Sequence, residues 1–279
     1  MTSDARTAVL ALAFPPSLTS AASAAAGLKL AFVCTDGTVH MYECREPQDL
    51  AHWVSVDVVR VLAAPPPREA EVAFGLQFCP SRLGGEQLVV AAMDAVRVFR
   101  QSRAGRFYAA EELPGHRALV RDVAWAVSMG RSYHLIATAC KDGHVRIFKL
   151  TAASGKTFVA QAHAAQQVAQ AAAQARVSTN RRRAGKAAGL SQGLGSGQDD
   201  PAPIEPIAEE SGEAGDRERW NVEKVADFGD HKSEVWKVAW NATGTILSST
   251  GDDGKVRLWK QAINGEFQLF SVVATPRSR

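Results

Sequence analysis

A turn that runs straight into a strand is written into this chain more than once, and it constrains the fold more than any other feature. "GDDGKVRLWK" at 251–260 sets an acidic glycine turn ahead of an alternating run, Val256 and Leu258 against Lys255 and Arg257. Extended backwards, the stretch reads "DHKSEVWKVAWNATGTILSSTGDDGKVRLWK" and splits at "NATG" and "GDDG" into three strand-length runs. A fourth, "FQLFSVV", follows "NGE". Alternation of period two marks half-buried strands, and Asp-Gly between them marks tight hairpins. Four antiparallel strands in about 45 residues are the size of one propeller blade.

The same order recurs upstream. "GHRALVRDVAWAVSMGRSYHLIATACKDGHVRIFKL" gives three runs and a "KDG" turn. "TAVLALAFPPS", "GLKLAFVCTDGTVHMYEC" and "HWVSVDVVRVL" give another set. Between them, "EVAFGLQFCP", "EQLVVAAMDAVRVFRQ" and "RFYAAEEL" form a weaker copy, whose turn has shrunk to "MDA" and which lacks most of the marks. The reading is an all-β chain of four blades, with turns at Asp36-Gly37, Asp142 and Asp253. Residues 1–150 hold three of them, and the outer strand of the third resumes at 220–230. Residues 231–273 hold the last, ahead of a tail at 274–279.

The interruption at 151–219 is rich in Ala, Gln, Gly, Ser, Pro and charge, and nearly empty of aromatics. Such a stretch buries too little surface to offset its ordering entropy, so it reads as a disordered insertion within the third blade. Good helix formers over 158–176 predict a mobile helix there. "TNRRRAGK" at 179–186 reads first as a solvated charge run and second as an import signal. "GLSQGLGSGQ" reads as flexible linker.

Composition excludes several function classes. With 32 basic and 29 acidic side chains the formal charge is +3, no basis for direct nucleic-acid binding by bulk electrostatics. The four cysteines, Cys34, Cys44, Cys79 and Cys140, form no C-x-x-C pair, which points to a reducing compartment without disulfides or zinc. No apolar run reaches the length of a membrane span, and "MTSDARTAVLALAFPPS" makes a poor signal peptide. The Asp252-Asp253-Gly254 turn offers too few oxygens for calcium. The seven histidines show no metal spacing, and no G-x-S-x-G, Walker or H-E-x-x-H motif occurs. The expectation is a protein that is not an enzyme, with no cofactor, no metal and no small-molecule substrate. Trp236 and Trp240 alternate along one strand and are expected to share a core-facing side.

These stretches resemble WD repeats. In that family a His, a Ser or Thr, an Asp and a Trp form a hydrogen-bonded tetrad; the matches here are His231, Ser248 or Ser249, Asp253 and Trp259. A turn Asp can accept from His, and His can bridge to Ser and the indole N–H, locking turn to strand. His116 and Asp142 match in the third copy with Phe148 at the Trp position, and Asp36 matches in the first with Tyr42 there.

More narrowly, "GRSYHLIATACKDGHVRIFKL" and "SEVWKVAWNATGTILSSTGDDGKVRLWK" are similar to the Seh-one class of nucleoporins, the Sec-thirteen homologues of the nuclear pore's Y-shaped outer-ring complex. The likeness covers 9–273 apart from the insertion. It implies an open six-bladed propeller, of which this chain corresponds to the third blade onward, two N-terminal blades being missing. It also implies a place at the nuclear envelope among the other Y-complex subunits. An α-solenoid nucleoporin completes such a propeller with a further blade. A second role follows from the same resemblance, in an amino-acid-signalling complex upstream of TOR at the vacuolar or lysosomal surface. The alternative is a Sec-thirteen-like subunit of a vesicle coat, or another WD-repeat interaction scaffold. Partner contact is expected on the last blade, at Val235, Trp236, Val238, Phe267 and Leu269.

Overall fold

The computed structural model describes residues 7–15, 28–44, 46, 50–81, 86–102, 104–152 and 220–274. The helix expected at 158–176, the basic run at 179–186 and the glycine-rich linker lie outside the described residues. Among the described residues, sixteen strands form four separate four-stranded antiparallel sheets. The first holds β1 (Val9–Ala13), β2 (Leu28–Cys34), β3 (Thr38–Cys44) and β4 (Val54–Arg60). The second holds β5 (Phe74–Phe78), β6 (Gln87–Ala92), β7 (Ala95–Gln101) and β8 (Phe107–Glu112). β9 (Val120–Trp125), β10 (Tyr133–Cys140), β11 (Val145–Ala152) and β12 (Trp220–Phe228) make the third. β13 (Val235–Trp240), β14 (Ile246–Gly251), β15 (Lys255–Gln261) and β16 (Phe267–Ala274) make the fourth. Within each sheet the strands pair in chain order, as meandering blades do.

Successive sheets pack inner strand on inner strand: β1 against β5, β5 against β9, β9 against β13. No comparable packing joins the fourth sheet to the first among the described residues, so the array is open. Its core lies between sheets. Ala31, Val33, Val39 and Met41 of the first face Phe74, Leu88, Val90 and Phe99 of the second. Ala124, Ala137, Ala139, Val145 and Ile147 of the third face Val235, Val238, Leu247 and Trp259 of the fourth. The chain leaves the third sheet after β11 and re-enters it at Trp220, the first residue of β12. That re-entry is held across the sheet boundary. The backbone N–H of Trp220 donates to Glu111 Oε1 at 3.1 Å, and the Arg100 guanidinium lies over the indole at 4.4 Å.

One irregularity recurs in every sheet. The outer strand carries an extra residue opposite the end of the third strand, just before Tyr42, Phe99, Phe148 and Trp259. Register gives the second sheet the strand plan of the others. Phe99 stands at its aromatic position and Asp94 in its turn, while Val90 occupies the place of Ser249 and the turn has no glycine, so the copy does lack most of the marks. Its turn works without glycine because Met93 itself takes the left-handed conformation, φ 60°.

Candidate functional site

The three Asp-Gly turns share one local construction. In each, the Asp carboxylate accepts the backbone N–H two residues on: Asp36 from Thr38 at 2.9 Å, Asp142 from His144 at 3.1 Å, Asp253 from Lys255 at 3.2 Å. The glycine between takes positive φ, 79° at Gly37, 84° at Gly143 and 65° at Gly254.

In the fourth blade this turn anchors a chain of polar contacts. His231 Nδ1 lies 3.0 Å from Asp253 Oδ1 and 2.8 Å from Arg257 Nη1, and Ser249 Oγ lies 2.8 Å from His231 Nε2. The Trp259 indole N–H donates to the same Oγ at 2.8 Å. Ser249, with one proton and two lone pairs, is therefore the bridge between ring and indole, a role the sequence reading gave to His231. Ser248 lies outside the chain and donates to the Ala239 carbonyl at 3.0 Å. Burial lowers the His231 pKa and the adjacent Arg257 adds to the effect, against the pull of Asp253. Trp259 presses on the third sheet, stacked on Phe228 with centroids 4.0 Å apart.

The other blades depart from this pattern. His116 Nε2 meets Thr138 Oγ1 at 2.9 Å, but Asp142 is turned to Arg146, whose Nη2 reaches Oδ2 at 2.6 Å. The expected partial tetrad of His116, Asp142 and Phe148 is thus reduced: Asp142 turns to a cation four residues on, as Asp253 does, without the added contact that Asp253 makes to His231. Phe148, without a donor, meets the His116 ring in a tilted contact, with centroids 5.8 Å apart and planes at 46°. In the first blade Asp36 accepts the Thr38 hydroxyl at 2.6 Å, and Phe32 stacks between His40 and Tyr42.

Sequence reasoning missed the arginines. Arg257 pairs with Asp253 as Arg146 does with Asp142, each four residues beyond its acid. The signal was present, since D-G-x-V-R occurs at 142–146 and again at 253–257.

The residues expected to touch a partner divide. Val235, Val238 and Phe267 are buried in the core against the third sheet and are corrected as contact residues. Trp236 and Leu269 are 46% and 41% exposed. Trp236 and Trp240 do not share a face, because a bulge at 235–237 breaks the alternation. Trp240 is half-buried and donates to the Ala124 carbonyl at 3.1 Å. Trp236 is turned outward beneath the Arg121 guanidinium, 4.4 Å away, and donates to Asp252 at 2.6 Å.

What the fourth blade leaves bare is its outward face. By register, Lys237, Ala239, Ser248, Thr250, Val256 and Leu258 occupy the positions that Asp122, Ala124, Ala137, Ala139, Val145 and Ile147 hold in the third. From Ala124 to Ile147 the third-blade set is covered by the fourth blade. Lys237 and Ala239 are exposed, and the other four are half-exposed. Phe270 and Val273 extend the patch at 62% and 53% exposure. At the opposite end, Leu10, Leu12 and Val58 are exposed on the first blade. Such surfaces mark interaction faces.

The WD domain, G-beta repeat family matches residues 109–149 and 222–260, each spanning a strand quartet boundary and an Asp-Gly turn. Curated relatives extend the likeness. Nucleoporin SEH1 of Saccharomyces cerevisiae is 38% identical over 88% of this chain and 64% of its own length. Nucleoporin seh1 of Schizosaccharomyces pombe is 34% identical over 97% of this chain and 66% of its own length. Nucleoporin SEH1 of Homo sapiens is 28% identical over 92% and 54%. The chain thus spans between about half and two thirds of the length of the curated relatives it matches.

Proposed function

We propose that the chain, which matches the WD domain, G-beta repeat family over 109–149 and 222–260 and is similar to the nucleoporins named SEH1, belongs with them and is a structural, non-enzymatic subunit of the nuclear pore complex outer ring. It binds an α-solenoid nucleoporin, which completes the open array. One observation carries this reading: the outward face of the fourth blade is a bare copy of a face that the third blade keeps covered. A blade whose neighbour is absent is a docking surface for a strand-bearing partner, since repeat units bury their faces only on one another. The names of the relatives favour the pore over a vesicle coat. The amino-acid-signalling role implied by the resemblance draws on no separate residue of the fold.

Co-expression tests the reading. The chain and the outer-ring solenoid nucleoporin of the same organism are expected to co-purify as a monodisperse complex, and a tagged chain to mark the nuclear rim. Failure of the pair to co-purify, with the tagged chain diffuse in the cell, overturns it.

A further inference from the structure

The four outward faces are built alike except for the last. On the second strand of each blade the outward pair is Ala31 and Val33, then Val89 and Ala91, then Ala137 and Ala139, and finally Ser248 and Thr250. Only the fourth pair carries hydroxyls, which tolerate water where the other three pairs are fully buried. A covered blade face has no need of them. A face that is wet before its occupant arrives does, and interfaces between separately made chains are more polar than cores for this reason.

The inner strand adds a sign. Between the second and third blades, Gln77 Oε1 accepts the backbone N–H of Trp125 at 2.5 Å. Between the third and fourth, Asp122 Oδ2 accepts that of Val238 at 3.1 Å. At these two junctions the incoming inner strand donates an N–H to a side-chain acceptor on the blade before it, whereas the first blade carries Ala11 and Ala13 at these positions. At the position of Asp122 the fourth blade carries Lys237, its side chain 69% exposed with Nζ 3.2 Å from Asp122. Ala239 stands at the position of Gln77 and offers no acceptor either. An ordinary blade arriving here brings a donor to a donor. This counts against a second copy of the chain, whose first blade presents the N–H groups of Leu12 and Phe14 at the corresponding positions.

We propose that the fourth blade's outward face is coded for a separate chain whose docking strand bears a carboxylate, recognised by Lys237 beside Ser248 and Thr250. This rests on the partner reading above and adds the chemistry of its seat. Lys237 reaches the incoming carboxylate from the edge of β13, and Val256, Leu258 and Val273 supply the apolar contact. The Lys237 charge is screened by salt, so the association is salt-sensitive.

The test uses the full chain and the nucleoporin partner captured with it. Lys237→Glu is expected to weaken the association by roughly tenfold or more, and Lys237→Ala by a smaller factor. Lys237→Arg retains it, and raising salt weakens the wild-type complex but not the Lys237→Ala complex. Circular dichroism and melting of each variant check that the blade remains folded. A wild-type complex that Lys237→Glu leaves unchanged overturns the carboxylate code while keeping the partner reading. A wild-type chain that captures no partner overturns both. A dimer of the chain alone that Lys237→Glu dissolves shows that the seat holds a second copy, and overturns the proposal.

Discussion

At the residue scale the fold is held by carboxylates whose charge the structure protects. Burial works against the charge on Asp253, but hydrogen bonds from Arg257 and His231 outweigh it and hold the carboxyl below its ordinary range. Replacing Asp253 by Ala leaves a buried guanidinium and a buried imidazole without their acceptor. The expected cost is about 1–3 kcal/mol, read as a lower thermal midpoint, and an unchanged midpoint refutes it. Asp142 shows the same balance. Burial raises its pKa, while Arg146 and then the Cys140 thiol and His144 amide lower it, to about 2. His116 is pushed down to about 4 by burial first and Arg146 second. Both groups have folded values below their unfolded ones, so each contributes stability that is whole above its unfolded pKa and lost as pH falls through the folded pKa. For His116 the loss runs from about 6.5 down to about 4, and for Asp142 from 3.8 down to about 2. The melting midpoint is expected to be flat above neutrality and to fall through both windows. Asp142→Asn is expected to shrink the lower step, to which Asp253 also contributes, and to leave the upper one; an acid limb identical to wild type shows that Asp142 has no part in it. The Asp-Gly turns were legible because their residue types fit so few turns. The partners of those aspartates were not, because Arg257 and Arg146 read as ordinary outward charges on alternating strands until the hairpin folds them back.

At the element scale the alternation of apolar and polar residues predicted nearly every strand, and the exceptions are bulges. A bulge adds one residue to one strand and reverses the facing of all that precede it, so Trp236 emerges at the surface although its spacing from Trp240 places both on one side. Nothing in a single strand's sequence announces an extra residue opposite its neighbour; only pairing does. The second copy is weak in sequence and in structure: Asp94 and Phe99 hold their repeat positions about a turn one residue shorter, but Val90 stands where Ser249 does in the fourth. The "NATG" turn between β13 and β14 shows how an element also joins blades. Asn241 Oδ1 accepts the N–H groups of Thr245 and Ile246, and the Gly244 carbonyl accepts Arg131 from the third blade at 3.0 Å. Gly244 sits at φ +63°, and a Cβ there would lie 2.4 Å from the Val127 carbonyl oxygen. Gly244→Ala combines left-handed strain with a backbone clash. It is expected to cost about 2 kcal/mol or more and to loosen the third blade from the fourth. Hydrogen exchange reads this directly: faster exchange confined to β13–β16 is the expected result, and exchange unchanged there shows that the turn shifts freely.

At the scale of the whole molecule the two bare ends are not equivalent, and that asymmetry has a measurable consequence. The first blade exposes Leu10, Leu12 and Val58; the fourth exposes Phe270 and Val273 on a face that also carries Lys237, Ser248 and Thr250. Apolar surface at both ends of an open repeat array drives head-to-tail contact that does not close, so the chain alone is expected to associate with rising concentration. Single charges should separate the two ends. Leu12→Glu is expected to reduce self-association without touching capture of the partner. Phe270→Glu is expected to reduce both, because it removes apolar contact and sets a carboxylate against the one that the proposed docking strand brings. Both side chains are largely exposed, so neither change disturbs a core, and the stabilities should stay within about 0.5 kcal/mol of wild type. Sedimentation of each variant across a dilution series, beside co-purification with the partner, measures the difference. Equal loss of capture in the two variants means that the partner spans both ends of the array. A wild-type chain that sediments as a single monomer at every concentration means that the exposed ends are too small or too wet to associate, and the open faces then serve the partner alone.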